Sequence, residues 1–242
     1  MNKRALASIV LLILAFVWGY LAAAHKLFPY RQIEATRAYF AALSNETPQP
    51  SAYWLEKSSF FEAFGARASV VVIGDSITDG AEWGEMFPDT TIANRGIDGD
   101  TTDGVLRRME GIKSVRAKKA FIMIGINDFG RAGRTVDAVF DDYRKIVSQL
   151  EQSGMKVFIQ STLSCNEAKA AWIACAAIQE KIRGLNRRLA TLASGGVAFI
   201  DINADLAGEG GLKPELTYDG VHLNGDGYRI WKREISKFVL AD

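Results

Sequence analysis

The sequence predicts a single α/β domain of three layers, α/β/α, built on a parallel sheet and preceded by an apolar N-terminal helix. Two patterns indicate this fold class. Short, continuous apolar runs rich in β-branched residues recur from residue 69 onward. They alternate with longer segments whose apolar residues recur at helical spacing. Because continuous apolar strands are covered on both faces, the alternation favours a parallel sheet between two layers of helices.

The first 26 residues stand apart from this domain. Two basic residues precede an uncharged apolar run over residues 5–24, which as a helix would be about 30 Å long and could cross a bilayer. The run is interpreted as an uncleaved signal-anchor, with Trp18 and Tyr20 near the membrane interface. A signal peptide cleaved near the small residues 22–24 is the alternative. A buried core helix is disfavoured because the run has no polar face.

We expect the main domain to be exported, to the periplasm or another extracytoplasmic face, and to be membrane-anchored or secreted. Basic residues flank the apolar run on both sides, but long domains translocate largely regardless of charge. Cys165 and Cys175 are close in sequence and could form a disulfide in an oxidising compartment. Two buried free thiols are the alternative reading of these cysteines.

Residues 27–66 are predicted to form a helical lead-in, interrupted near 44–50 by a polar, proline-containing linker. The aromatic-rich stretch 53–64 is predicted to be the last helix of this lead-in. The main domain is then expected to occupy residues 67–242.

Five strands are predicted in the main domain, at residues 70–73, 91–93, 120–124, 156–159 and 197–200. Three long helices are predicted between and after them, over residues 136–150, 167–192 and 228–239. Thr135 is the expected N-cap of the first of these helices. Either Asn224 or Asp226 is the expected N-cap of the last.

Composition narrows the classes of partner. The formal net charge is +1, so no basic excess points to a nucleic-acid partner. The chain has two histidines, His25 and His222, and its two cysteines are not in a CxxC arrangement. A zinc site is therefore not expected, and the predicted chemistry needs no metal or organic cofactor.

Polar residues follow the predicted strands, where ligands bind in open α/β sheets. Ser76 comes directly after the first strand, and His222 is the one histidine of the main domain. A serine hydroxyl needs a base to become a nucleophile, and Asp219 is close enough in sequence to orient the imidazole. We therefore predict Ser76, Asp219 and His222 as a catalytic triad.

Attack on an ester carbonyl creates an oxyanion that needs pre-placed hydrogen-bond donors. The expected donors are the backbone N–H groups of Ser76 and Gly96 and the side-chain amide of Asn127. A glycine at position 96 would let the backbone approach the substrate closely. Asp75 and Asp128 are expected to hold the loops by accepting bonds from backbone amides.

Four sequence blocks resemble those of the GDSL/SGNH hydrolase superfamily, and they occur in the order found in that family. The blocks are Gly74–Thr78, Asn94–Thr102, Gly125–Asp128 and Asp219–Asn224. The second block and the aromatic lead-in are most similar to the branch related to platelet-activating-factor acetylhydrolase. The resemblance implies a flavodoxin-like, five-stranded sheet in the order 2-1-3-4-5, and it implies the same roles for Ser76, Gly96, Asn127, Asp219 and His222.

The predicted function is a serine esterase that cleaves a short acyl group, with acetyl as the leading candidate, through an acyl-serine intermediate. Carbohydrate or cell-envelope esters suit the expected location. A lysophospholipase or thioesterase acting on longer chains is the alternative among enzymes. If the protein is not an enzyme, the alternatives are a non-catalytic binding module and a membrane-assembly protein. The acyl chain, the alcohol and the oligomeric state stay open.

Overall fold

The computed structural model describes residues 3–25, 28–29, 33, 36, 50–65, 67–170 and 173–241. These residues belong to two units, residues 1–48 and residues 49–242. The first part of the predicted helical lead-in, residues 27–43, and the linker near 44–50 lie almost wholly outside the described residues. The last helix of the lead-in belongs to the second unit, together with the sheet.

The first unit contains helix α1, Lys3–His25. Its window Ser8–His25 has a mean hydropathy of 2.0 and is 6% buried, so it is long and apolar enough to cross a membrane. A signal sequence would have the same properties. The low burial argues against a core helix, the reading that the sequence already disfavoured.

The second unit is built on a five-stranded parallel sheet in the order β2-β1-β3-β4-β5, which confirms the predicted fold class and strand order. The strands are β1 Val70–Gly74, β2 Ile92–Gly96, β3 Lys119–Met123, β4 Lys156–Gln160 and β5 Val197–Ile200. Every residue of β1 is buried, as expected for a central strand with helices on both faces.

The helices of the second unit alternate with these strands. They are α2 Ala52–Ala63, α3 Ser76–Asp79, α4 Trp83–Met86, α5 Thr102–Arg107, α6 Met109–Lys113, α7 Ile126–Gly130, α8 Val136–Gln152, α9 Cys175–Ala190, α10 Asn203–Leu206 and α11 Gly225–Val239. A short antiparallel pair, Ala207–Gly208 and Gly211–Leu212, and a 3₁₀ turn at Pro214–Leu216 precede the last helix.

Two of the three long helices begin where the capping residues predict. The Thr135 hydroxyl accepts a bond from the N–H of Ala138 at the start of α8. The Asn224 side chain accepts a bond from the N–H of Gly227 at the start of α11, which selects Asn224 over Asp226. Each cap satisfies a backbone donor that has no partner within its helix.

The helix predicted over 167–192 is wrong in its first part, because α9 begins only at Cys175. The side chain of Asn166 accepts hydrogen bonds from the N–H groups of Ala168 and Lys169. An asparagine that bonds the backbone two and three residues later favours a turn over a continued helix. The short helices α4, α5 and α6 were not predicted, because each is shorter than two turns and shows no clear periodicity.

Two contacts fix the long helices to the sheet. The Tyr143 hydroxyl of α8 donates to the carbonyl of Ile124 at 2.8 Å and accepts from its N–H at 3.0 Å. Trp231 of α11 is fully buried, packs edge-on against Trp83 at 5.3 Å between ring centroids, and donates from its indole N–H to Gln160. Both contacts lie at the carboxyl end of a strand, so they also define the edge of the sheet that carries polar side chains.

A disulfide joins Cys165, in the loop after β4, to Cys175 at the start of α9. The two cysteines are ten positions apart, and both are buried. The Gln179 side-chain amide donates to the carbonyl of Cys165 at 2.7 Å and holds the same loop. The bond thus ties the loop after β4 to the start of α9.

Reduction of this disulfide is expected to lower the free energy of unfolding by roughly 2–3 kcal/mol, because the closed loop restricts the unfolded chain. Urea unfolding of the oxidised and thiol-reduced chain, followed by circular dichroism, measures the difference. A Cys165→Ala/Cys175→Ala variant serves as the control, since reductant should not change its stability. Equal unfolding curves for the two forms of the native chain would contradict the prediction.

Candidate active site

Ser76 lies at the turn between β1 and α3, at the carboxyl edge of the sheet. Asp75 precedes it and caps α3, because its Oδ1 accepts the N–H of Ile77 at 3.1 Å. The Tyr228 hydroxyl of α11 donates to the carbonyl of Ile77 at 2.8 Å. The last helix of the domain therefore supports the short helix that begins with Ser76.

Asp219 and His222 lie on the loop before α11, and this loop is held by bonds among its own residues. The Asp219 Oδ1 accepts the backbone N–H groups of Val221 and His222, at 2.9 and 2.8 Å. The Thr217 hydroxyl donates to the carbonyl of His222 at 2.6 Å. These bonds orient the Asp219 carboxylate toward the side of the loop that presents the imidazole.

The three predicted triad residues form a continuous chain of hydrogen-bonding atoms. The His222 Nδ1 lies 2.7 Å from Asp219 Oδ2. The His222 Nε2 lies 2.8 Å from Ser76 Oγ, across 146 positions of sequence. Ser76, Asp219 and His222 are half-buried, so the chain of contacts lies at the surface of the sheet edge. A neutral imidazole in this arrangement can accept the serine proton at Nε2.

Asn127 lies in α7, directly after β3. Its side-chain nitrogen donates to the carbonyl of Asp100 at 3.1 Å, and the residue is 2% exposed. The Thr162 hydroxyl donates to the carbonyl of Ile124 at 2.6 Å and so holds the start of this turn. An amide nitrogen carries two hydrogens, and the bond to Asp100 occupies one of them.

Asp128 links the turn of Asn127 to the loop after β2. Its carboxylate accepts the backbone N–H of Thr102 at 3.0 Å and the Thr102 hydroxyl at 2.7 Å. Arg134 forms an ion pair with it at 2.8 Å. Burial raises the pKa of Asp128 to about 6, against the lowering effect of these bonds. The expectation that Asp128 braces a loop through backbone amides agrees with this geometry.

The expectation that Gly96 supplies an oxyanion donor does not fit the structure. Its N–H already donates to the Asn94 side chain at 2.8 Å. A Cβ atom at position 96 would lie 2.2 Å from the backbone nitrogen of Asp79, so glycine is required there for β2 to pack against α3. Gly96 is therefore a packing residue at the end of β2.

Gly99 lies three positions later, in the loop after β2, and is better placed than Gly96 to offer its N–H to an oxyanion. It was not identified from the sequence. It directly precedes Asp100, whose carbonyl holds the Asn127 side chain. Among the residues that the structure describes, no acceptor faces the N–H of Gly99 or that of Ser76. The sequence shows two glycines in this block, and the hydrogen bond from Gly96 to Asn94 and the close packing at Gly96 separate their roles.

The pKa values of two carboxyl groups of the site, those of Asp75 and Asp219, are shifted in opposite directions. Burial raises the pKa of Asp75 from 3.8 to about 7, and its Oδ2 has no hydrogen-bond partner among the described residues. Partial burial would raise the pKa of Asp219 as well. The bonds from the His222 ring and from two backbone N–H groups outweigh that effect and lower its pKa. Asp219 is thus held as a carboxylate beside His222.

Within the part of the chain that the structure describes, no group of three or more His, Cys, Asp or Glu side chains could hold a metal ion. The residues brought together at the sheet edge are instead a serine, an imidazole, a carboxylate and an amide. This set can activate a hydroxyl nucleophile and offer donors to a negatively charged oxygen.

Comparison with known proteins identifies the family of the chain. The model of the GDSL-like lipase/acylhydrolase family matches residues 72–230. A GDSL-like lipase from Bacteroides thetaiotaomicron is 25% identical with a TM-score of 0.66, over 77% of this chain and 96% of that one. A structure from Streptococcus pneumonia, provisionally described as a platelet activating factor, is 24% identical with a TM-score of 0.69, over 79% and 92% of the two chains.

Among curated proteins, the chain is similar to N-acylneuraminate cytidylyltransferases of Streptococcus agalactiae. Those of serotypes V and III are 25% and 26% identical over 187 residues, which is 76% of this chain. The matched region is 41% of each relative, so the chain spans about two fifths of their length. The named activity belongs to proteins more than twice as long as the matched region.

Replacing Asp75 by asparagine is expected to change how stability depends on pH. Between about pH 4 and pH 7 the folded state holds the Asp75 proton that the unfolded state has released. The free energy of unfolding contributed by this group therefore falls as pH rises through that window, by up to about 1.4 kcal/mol per pH unit. Asparagine keeps the acceptor for the Ile77 N–H and does not titrate, so the variant should gain stability over the native chain as pH rises.

Urea unfolding at intervals between pH 4 and pH 8 measures this difference. Asp89→Asn, at an exposed position, is the matched control and should track the native chain. A constant difference between the native chain and Asp75→Asn over the whole range would show that the Asp75 carboxyl is not held protonated in the fold.

Proposed function

Because the chain belongs to the GDSL-like lipase/acylhydrolase family, we propose that it is a serine ester hydrolase with Ser76 as its nucleophile. The observation that carries the proposal is the chain of contacts from Ser76 Oγ through the His222 ring to Asp219, at 2.8 and 2.7 Å. If Ser76 only capped a helix, its hydroxyl would need neither a hydrogen bond to the His222 ring nor a carboxylate bound to the other ring nitrogen.

In the proposed reaction, His222 Nε2 takes the Ser76 proton while Oγ bonds to the ester carbonyl carbon. Asp219 stabilises the imidazolium that forms. The imidazolium then gives its proton to the oxygen of the departing alcohol as the carbon–oxygen bond breaks, which leaves an acyl-serine. A water molecule, deprotonated by the same imidazole, attacks the acyl carbon and releases the acid, and the proton returns to Ser76 Oγ.

The oxyanion of each tetrahedral intermediate would accept bonds from the backbone N–H groups of Ser76 and Gly99 and from the Asn127 side-chain amide. The Ser76 and Gly99 N–H groups have no acceptor among the described residues, and Asn127 retains a second amide hydrogen. Gly99 thus replaces Gly96 in the proposed set. Buried donors fixed in advance stabilise a developing charge without having to reorganise.

The proposed substrate is a small ester, with acetyl as the leading acyl group, on a carbohydrate or cell-envelope alcohol. The choice of a carbohydrate or cell-envelope alcohol rests on the location that the N-terminal segment supports. Helix α1 is long and apolar enough to anchor the chain in a membrane. The disulfide between Cys165 and Cys175 agrees with an oxidising compartment. We therefore propose an exported domain that is tethered to, or released from, the outer face of the membrane.

Ser76→Ala is expected to reduce hydrolysis to background, because removing the nucleophile of a comparable triad lowers kcat by roughly 10⁶. The measurement is release of nitrophenol from nitrophenyl acetate, butyrate and palmitate by the native chain and the variant. Ser148→Ala, at an exposed position in α8, is the matched control and should keep full activity. Hydrolysis that survives in Ser76→Ala would rule out the proposed mechanism.

The same panel tests the acyl group. A kcat/KM that is highest for acetate supports a short-chain esterase. A maximum at palmitate would replace that proposal by a lipase or thioesterase on longer chains, with the same nucleophile.

Asn127→Ala is expected to lower kcat by about 10²–10³ with little change in KM, because an oxyanion donor acts mainly in the transition state. Steady-state kinetics on nitrophenyl acetate measure both constants, and circular dichroism checks that the variant is folded. A raised KM with an unchanged kcat would mean that Asn127 binds substrate and does not stabilise the oxyanion.

A further inference from the structure

Helix α2 lies outside the region that the family model matches, residues 72–230, yet its side chains contact two loops of the proposed site. The Tyr53 hydroxyl donates to Asp79 Oδ2 at 2.6 Å, and the Lys57 ammonium pairs with Asp79 Oδ1 at 3.1 Å. The indole N–H of Trp54 donates to Asp100 Oδ1 at 2.8 Å. The helix therefore bonds both to α3, which begins with Ser76, and to the loop after β2.

Asp100 is the central residue of that loop. Its side chain is 1% exposed and is bound by Arg108 at two atoms, with Nε at 2.8 Å and Nη2 at 2.7 Å from Oδ2. The other oxygen, Oδ1, accepts the N–H groups of Trp54 and Thr101, at 2.8 and 3.0 Å. Both oxygens are thus satisfied, and among the described residues Trp54 is the one partner from outside the segment 100–108.

The backbone of Asp100 belongs to the proposed oxyanion site. Its carbonyl accepts the Asn127 amide at 3.1 Å, and Gly99 directly precedes it. The Asp100 carbonyl belongs to the peptide after Asp100, and the Gly99 N–H belongs to the peptide before Gly99. A displacement of the Asp100 backbone would therefore move the Asn127 side chain directly and the Gly99 N–H through the one peptide between them. Because the Asp100 side chain is fixed on two sides, its backbone has little freedom to rotate.

The bond between Trp54 and Asp100 depends on a glycine beneath it. A Cβ atom at position 104 would lie 1.9 Å from Asp100 Oδ1 and 3.2 Å from the indole nitrogen of Trp54. Any side chain at this position would displace the carboxylate from the indole. Phe61 anchors the same helix to the domain, since it is buried and its ring lies 4.4 Å from the Arg95 guanidinium.

We propose that Trp54 is a positioning residue for the hydrolytic reaction, and that its indole N–H holds Asp100 so that Gly99 and Asn127 keep their donors aimed at the oxyanion. The residue contacts no reacting atom and acts through Asp100. This inference rests on the proposed esterase activity. It extends the functional unit beyond the family region to a helix that precedes the first strand in the sequence.

The test is Trp54→Phe, which keeps an aromatic ring in α2 and removes the donor. We expect kcat for nitrophenyl acetate to fall about tenfold, with KM within about twofold, since a displaced transition-state donor slows the chemical step without weakening substrate binding. Phe60→Leu, on the exposed side of the same helix, is the matched control and should keep the native kcat.

Active sites are counted by the stoichiometry of covalent labelling with a nitrophenyl phosphonate, so that kcat is expressed per competent site. The rate constant of this labelling should fall by a factor similar to that for kcat, because the phosphoryl oxygen would use the same donors. Thermal unfolding reports any loss of stability separately. A purely structural role would lower the melting temperature or the number of labelled sites and leave kcat per site unchanged.

The outcomes separate this inference from the proposed function. An active, Ser76-dependent native chain with an unchanged kcat per site in Trp54→Phe would overturn the role of Trp54 alone. An equal loss in Phe60→Leu would overturn it as well, because the effect would then belong to the helix as a whole. A native chain without Ser76-dependent hydrolysis would overturn both proposals.

Discussion

The parallel register of the three neighbouring strands β2, β1 and β3 is the constraint on which the site depends. Gly74 pairs with Gly96 on one side and with Met123 on the other, so these strands end at the same level. The chain must leave each strand at one edge, and the loops that carry Ser76, Gly99 and Asn127 start side by side. If either pairing shifted by one residue, every side chain of the shifted strand would point to the opposite face of the sheet, and the loops would start farther apart.

The loops are then held by three buried aspartate side chains that touch no reacting atom. Asp75, whose pKa burial raises to about 7, caps the helix that begins at Ser76. The other two form ion pairs, Asp100 with Arg108 and Asp128 with Arg134. Burying a charged pair adds little to stability, because desolvation offsets the attraction between the charges. Such pairs do specify one arrangement, since any alternative leaves a buried charge without a partner. The rigidity of the loops is therefore a consequence of polar groups that the fold can satisfy in one way.

Much of this could be predicted from the sequence, and the failures have a common physical cause. The strand order follows from the resemblance to a known family. Local patterns predict the cap Thr135 and narrow the last cap to Asn224 or Asp226. The order of the polar blocks predicts the proximity of Ser76 to Asp219 and His222. The roles of Gly96 and Gly99 could not be separated, because residue spacing does not show that the Asn94 side chain occupies the Gly96 N–H. The late start of α9 likewise depends on the side chain of Asn166. Spacing predicts where a residue lies, whereas its hydrogen-bond partner is a property of the folded chain.

The two halves of the site differ in how far along the chain their supporting residues lie. The loop of Asp219 and His222 is held by several bonds between residues no more than five positions apart, and from outside the loop the N–H of Asn166 donates to the carbonyl of Gly220 at 2.7 Å. The loop of Gly99 and Asp100 is held by Trp54, which is 46 positions away, and by Asn127, which is 27 positions away. Its geometry can therefore change through substitutions that leave every family block intact. Helix α2 shares one unit with the sheet, and on physical grounds the proposed hydrolase begins at this helix, before the first strand.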